Sequence, residues 1–411
     1  MTTFRPFRAV RPAEDLASSI AALPYDVYSS EEAREAVAAN PLSFLKIDRA
    51  ETQFPEGTDM YSQAVYDRAR DTLNEMLADG SFIQEEIACY YLYALTMNGH
   101  TQTGIVGCAS VDDYQNGIIL KHENTLEAKE QDRIRHVETC SAHTGPIFLA
   151  CRPVSELKLL ANQVRRGTPL YDFTSEDGIR HQVWRIDRPE YIENISHLFT
   201  DIPHLYIADG HHRAASAVKA GLRKRAADPD FSGTEEYNYF LSVVFPSDEL
   251  NIYDYNRIVT DKNNYTTGQL LDMIKDGFEI TRIGSSACRP EHRGEFGMYL
   301  DHCWYRLTAK SSLRSDDPVK GLDVSILQDN ILSPILGITD PKNDPRIRFS
   351  GGIRGLKALE EGADSCGGIA FAMFPTSMDE LMAVADAGLL MPPKSTWFEP
   401  KLRSGLFIHR F

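Results

Sequence analysis

The chemistry-bearing side chains of this 411-residue chain crowd into one short stretch, Ala208-Asp209-Gly210-His211-His212-Arg213. An apolar run, Leu205-Tyr206-Ile207, precedes it and an alanine-rich segment follows, so the spacing predicts strand, turn and helix. In that arrangement Gly210 supplies a positive φ or lets a ligand approach closely. The helix start presents N–H groups and partial positive charge to an anion. Arg213 adds a fork shaped for phosphate. Asp209 could accept a proton or orient a metal, and His211 and His212 could donate to phosphate or act as acid and base. The plainer alternative makes Asp209 a helix N-cap beside two surface histidines. Two histidines and an arginine in one first helical turn favour the functional reading. Zinc is not favoured: adjacent histidines diverge by roughly 100° around a helix, and H-x-x-x-H spacing is absent.

A second constellation lies upstream. Lys121-His122-Glu123-Asn124-Thr125 places five polar groups after the apolar Ile118-Ile119-Leu120. Phosphoryl transfer needs a group that orients the attacking hydroxyl and cations against the transferred charge. Glu123 could be the base, with Lys121 and His122 at the phosphate; a solvated loop is the alternative. Asp132 and Arg133 read as a helix-face ion pair or as a second phosphate contact. In Pro24-Tyr25-Asp26-Val27, Tyr25 and Asp26 either line the pocket or form a rigid start to a helix. Near the end, Pro392-Pro393 predicts an extended backbone. Lys394, Ser395 and Thr396 then offer phosphate-type donors, with Lys401 close behind, although the glycines of a P-loop are absent. Ser350-Gly351-Gly352-Ile353-Arg354-Gly355 lacks the spacing of a dinucleotide fold; it could open a helix with Arg348 or Arg354 at an anion. Serine-hydrolase and protein-kinase motifs are missing.

These residues need elements to hold them. Ser29-Ser30-Glu31-Glu32 is a capping box for a helix reaching Ala39. Leu42 to Ile47 reads as a strand, and Tyr61 to Leu77 has helical spacing. Ala88 to Ala94 and Thr103 to Val111 read as strands around the Asn98-Gly99 turn. Lys121 to Arg135 runs into a helix; Pro146 to Cys151, His181 to Ile186 and His204 to Ala208 are strands. His211 to Ala220 is a helix closed by Gly221. Further on, Tyr239 to Phe245 and Met298 to Leu307 read as strands, Leu270 to Ile274, Val324 to Ile331 and Met378 to Ala387 as helices. Arg346 to Ser350 leads into a helix from Gly352 to Glu361, and Gly405 to His409 is a terminal strand. The alternation predicts an α/β (mixed α+β) fold, and the polar stretch Lys224 to Thr234 predicts domains of 1–228 and 229–411.

The totals bound the function. A formal net charge of −16 argues against nucleic acid and anionic membrane as partners. Seven scattered cysteines without C-x-x-C read as free thiols of a reducing compartment. No long apolar run and no N-terminal leader pattern occur, so a cytoplasmic protein is expected. A homo-oligomer is left open.

Four ordered motifs, A-L-P-Y-D-V (Ala22 to Val27), K-H-E-N-T-L (Lys121 to Leu126), D-G-H-H-R and M-P-P-K-S-T-W-F-E-P-K-L (Met391 to Leu402), resemble domain-of-unknown-function family 1015. More distantly, D-G-H-x-R is similar to the turn of ParB-like proteins, including their free-serine kinases, with His212 where that pattern has threonine. The resemblance implies a ParB-like nucleotide-binding core in the N-terminal half and an additional C-terminal α/β domain. It also implies ATP or ADP with Mg²⁺ and an upstream glutamate as base. The expected function is a nucleotide-dependent phosphotransferase acting on a small hydroxyl compound such as L-serine. A metal-dependent phosphoesterase or nucleotide hydrolase, and a ParB-like nucleotide-binding switch, are the alternatives.

Overall fold

The computed structural model describes residues 1–125 and 127–411; Leu126, the last residue of the K-H-E-N-T-L segment, lies outside the described residues. The fold is mixed α/β. The chain divides into two compact units, Met1–Leu250 with Pro400–Phe411, and Asn251–Glu399. This differs from a division at 228. The strand Tyr239–Pro246 is interior to the first unit's sheet, where it pairs with both His100–Ser110 and Ile147–Cys151. The last twelve residues return to the first unit through bridges from Ser404 to Ala22 and Ile408 to Val10, and a pairing of His409 with His143.

The first unit is built on a nine-stranded sheet. At one end of it, Ile119–Leu120 runs parallel to Leu205–Asp209, with Leu205 opposite Ile119 and Tyr206 opposite Leu120. Leu205–Asp209 is antiparallel to Ile147–Cys151 on its other side, with a register shift between Ile207 and Asp209. Leu205, Ile207, Ile147, Leu149 and Ile119 pack into one apolar cluster with Ala214, Ala217 and Val218 of the helix His211–Ala227. That helix passes through Gly221 instead of stopping there. Leu222 to Ala227 are mostly good helix formers, and Gly221 is needed for packing: a Cβ would lie 2.4 Å from the Tyr237 carbonyl. The neighbouring helix Glu127–Cys140 is tied to it by Ser216 Oγ donating to the Glu130 carbonyl (3.2 Å) and by a Lys219–Glu130 ion pair.

Leu42 to Ile47 is not a strand. The chain turns and forms the short helix Leu45–Asp48, with Phe44 N–H on the Ile20 carbonyl; a short apolar run carries no period that separates the two. The second unit has a six-stranded antiparallel sheet. The single strand expected over Met298 to Leu307 is a hairpin, Glu295–Leu300 and Cys303–Ala309. Asp301 and His302 make its turn with φ of 47° and 59°. The capping-box helix Ser30–Ala39 forms with both reciprocal bonds of its Ser29 cap. All seven cysteines are free thiols. Among the described residues no helix is long and apolar enough to cross a membrane.

Candidate functional site

Parallel pairing explains how two motifs 86 residues apart meet. Because Ile119–Leu120 and Leu205–Asp209 run the same way in register, the residues that follow both strands emerge at the same sheet end, where ligands of open α/β sheets collect. His122 and His211 accordingly stack edge to face, ring centroids 4.5 Å apart. Glu123 brings a carboxylate oxygen to 3.9 Å from His211 Nδ1. Lys121 is exposed at the same strand end.

Gly210 adopts φ 92°, ψ 31°, and no side chain caps the helix that starts at His211. The left-handed conformation suits glycine. It also leaves room for Arg213, whose guanidinium would lie 3.1 Å from a Cβ at 210. Arg213 donates through Nη1 to the Pro146 carbonyl at 2.7 Å and through Nη2 to Asp209 at 3.4 Å. Asp209 is not the N-cap; it closes the strand and faces cations. Burial opposes its charge, but Lys401 and Arg213, with the Gly210 N–H, outweigh that and hold its carboxyl down to about 2. Lys401 Nζ stands 3.8 Å from the carboxylate and is only 13% exposed. Lys401, which the sequence placed close behind the Lys394-Ser395-Thr396 donors in the M-P-P-K-S-T-W-F-E-P-K-L motif, is the residue of that motif that reaches the turn.

The two imidazoles are unusual. His122 is 2% exposed and His211 6%. Neither His122 nitrogen, nor His211 Nε2, makes a hydrogen bond of good geometry. Burial pushes His122 down to about 4 against the pull of Asp209. It pushes His211 well below the usual histidine range, and His122 beside it adds to the effect. Both rings are therefore neutral at pH 7; the Ile207 backbone lies against His122, and among the described residues the three buried ring nitrogens make no hydrogen bond of good geometry. Buried polar atoms of this kind are rare in folded proteins unless they serve a ligand or a water.

His212 faces a different space, a cavity of about 490 Å³ that it lines together with Tyr25, Asp26, Tyr66, Asp132 and Arg135. The Pro24-Tyr25-Asp26-Val27 turn thus reaches the pocket, as a short 3₁₀ turn over Tyr25–Val27. Arg133 is an ion pair with its neighbour Asp132 at 2.8 Å, and its guanidinium lies 4.0 Å from the Tyr25 ring centroid. Beneath, a void of about 30 Å³ is lined by Arg133, Arg213, Tyr25 and Asp48. An apolar pocket of about 80 Å³ under the helix Ser155–Val164 shares no residue with the turn.

Lys394, Ser395 and Thr396 belong to the second unit. Their backbone turns there instead of extending: Lys394 has φ 60°, and Ser395 Oγ donates to the Pro392 carbonyl at 2.6 Å. Ser350 to Gly355 finishes the strand Ile347–Gly351 and forms a 3₁₀ turn, so the regular helix begins later, at Lys357.

The fold is that of a mixed α/β protein, with a strand–helix junction at Gly210 where Arg213 and Lys401 meet Asp209. The chain belongs to the family described as protein of unknown function (DUF1015), whose model matches residues 4–325. No curated protein matches it. Among solved structures it is similar to a free serine kinase variant in complex with AMP, at 15% identity over 74% of this chain and 92% of that one, with a TM-score of 0.37. A conserved hypothetical protein from Pyrococcus furiosus gives 14%, 74%, 94% and 0.35. A C-terminally truncated SbnI from Staphylococcus aureus gives 10%, 74%, 87% and 0.38.

Proposed function

We propose that this chain is a nucleotide-dependent phosphotransferase that phosphorylates a small hydroxyl compound, with L-serine as the first acceptor to test. The observation that carries the reading is the junction at Gly210. An uncapped helix start, Arg213 and Lys401 surround one ionised carboxylate, and the buried neutral imidazoles of His122 and His211 stand beside it.

In this reading the donor's terminal phosphates lie at the first N–H groups of the helix, with Arg213 and Lys401 taking up charge as it moves toward the leaving oxygen. Glu123 accepts the proton of the acceptor hydroxyl as its oxygen bonds to phosphorus and the bond to the leaving nucleotide oxygen breaks. His211, held neutral beside Glu123, orients that carboxylate or the acceptor by donating a hydrogen bond. His122 fixes the His211 ring through its edge-to-face contact. Mg²⁺ fits this donor set only in part: no group of three or more histidine, cysteine or acidic side chains placed to hold a metal occurs among the described residues. Magnesium is commonly held by one or two carboxylates plus substrate phosphates. Asp209 is the carboxylate that would hold it, and the ion would neutralise phosphate charge.

The test is a phosphoryl-transfer assay with Mg²⁺ and ATP or ADP against a panel of hydroxyl compounds that includes L-serine. Product that depends on both the acceptor and Asp209 is the expected result. Phosphate release without any acceptor would instead support a hydrolase or a nucleotide switch. Absence of both turnover and nucleotide binding would overturn the reading.

A further inference from the structure

The second unit contains a charge that its own residues leave uncompensated. Arg257 sits in the strand Tyr255–Val259, between Ile347–Gly351 and Ile369–Met373, and is 3% exposed. Its Nη1 donates to the Tyr255 carbonyl and its Nη2 to the Lys394 carbonyl at 3.1 Å. Its guanidinium carbon lies 5.5 Å from the Phe349 ring centroid. Among the described residues no carboxylate forms an ion pair with it. The acid nearest in sequence, Asp254, is engaged by Arg289 and Asn256. Arginine does not shed its proton in proteins, and buried charges are normally paired. Carbonyl dipoles and a ring face lessen the cost of burial without cancelling the charge.

Two segments with phosphate-type composition converge on this arginine. Phe349, opposite Arg257 in the antiparallel ladder, begins the F-S-G-G run. The Lys394 carbonyl that receives Nη2 belongs to the P-P-K-S-T turn. That turn is held in a left-handed conformation at Lys394, which is exposed and carries its ammonium 5.8 Å from the Tyr255 ring centroid. Trp397 packs edge-on against Tyr255 at 5.0 Å and lies so close to Gly351 that a Cβ there would be 2.6 Å from the indole. A buried guanidinium, an exposed ammonium and an aromatic wall thus occupy one corner of the second unit.

We propose that the second unit carries its own oxyanion site, in which Arg257 and Lys394 hold a phosphate-type group beside Tyr255 and Trp397. The site is distinct in its residues from the junction at Gly210 and does not depend on the phosphotransferase reading.

The test is calorimetric titration of the full chain with inorganic pyrophosphate, in the wild type and in Arg213→Met, which removes the fork of the first unit. Binding that survives in Arg213→Met is expected. In that background Arg257→Lys keeps the charge but loses the fork, and should weaken the surviving affinity by about tenfold. Lys394→Ala, at an exposed position that does not threaten folding, should weaken it by about threefold. Complete loss of binding in Arg213→Met would overturn the proposal. So would an affinity unchanged by both Arg257→Lys and Lys394→Ala, which would leave Arg257 as a strut between strand and turn.

Discussion

The two units handle sequestered cations, half-buried in the first and buried in the second, in opposite ways. In the first, Arg213 and Lys401 share one internal carboxylate, Asp209, and the histidines nearby shed their charge to stay buried. In the second, Arg257 is buried with carbonyls and a ring, and among the described residues no carboxylate forms an ion pair with it. An internal counter-ion preserves the arrangement without ligand. In the site proposed for the second unit, the ligand itself would be the counter-ion. The contrast teaches that cation content alone does not define a site; what matters is whether the fold supplies the opposite charge.

The sharpest way to break this comparison is Asp209→Asn. If the carboxylate both balances the cations and takes part in the chemistry, turnover should fall by about 100-fold or more. Pyrophosphate affinity should hold or rise, because Arg213 and Lys401 lose their internal competitor. A parallel loss of affinity, read by calorimetry beside the transfer assay, would show that Asp209 merely holds the turn together.

The neutral imidazoles give the next largest effect. His122 titrates near 4 in the fold, below the ordinary 6.5, because it is buried. The unfolded chain therefore binds a proton between pH 6.5 and 4 that the folded chain refuses. Stability is lost as pH falls through that window, by on the order of 3 kcal/mol from this residue. His122→Leu should flatten its share of the slope in urea melts taken from pH 7 to 4. An unchanged slope would mean that the ring is charged or hydrated in the native state.

Gly210→Ala places a Cβ at φ 92° against the Arg213 guanidinium. A loss of about 1–2 kcal/mol is expected in denaturant unfolding, with weaker anion binding as Arg213 shifts. Lys401→Ala should have the smallest effect, about a tenfold rise in the KM for the phosphoryl donor with kcat less affected. If kcat falls and KM does not, Lys401 acts on the transition state instead of on binding.

Much of the site was legible locally. The D-G-H-H-R turn is strand, left-handed glycine and helix because each of those choices is set within a few residues: an apolar run, a residue without a Cβ, and alanines at helical spacing. The capping box at Ser29 was readable for the same reason. What the sequence determined by itself about this protein was therefore the local geometry of its motifs, and with it the cations and imidazoles on which the proposed anion site rests. Only the tertiary structure decided which motifs share a site. Parallel pairing of Ile119–Leu120 with Leu205–Asp209 brings His122 to His211. The return of the last twelve residues to the first unit delivers Lys401 to Asp209, while Lys394, only seven residues earlier, stays in the second unit beside Arg257. The apolar run at Leu42 to Ile47 and the hairpin at Asp301-His302 went the same way, since short segments take their conformation from what they pack against. Strand pairing and burial are set by residues far apart along the chain, and no local pattern encodes which distant partner will arrive.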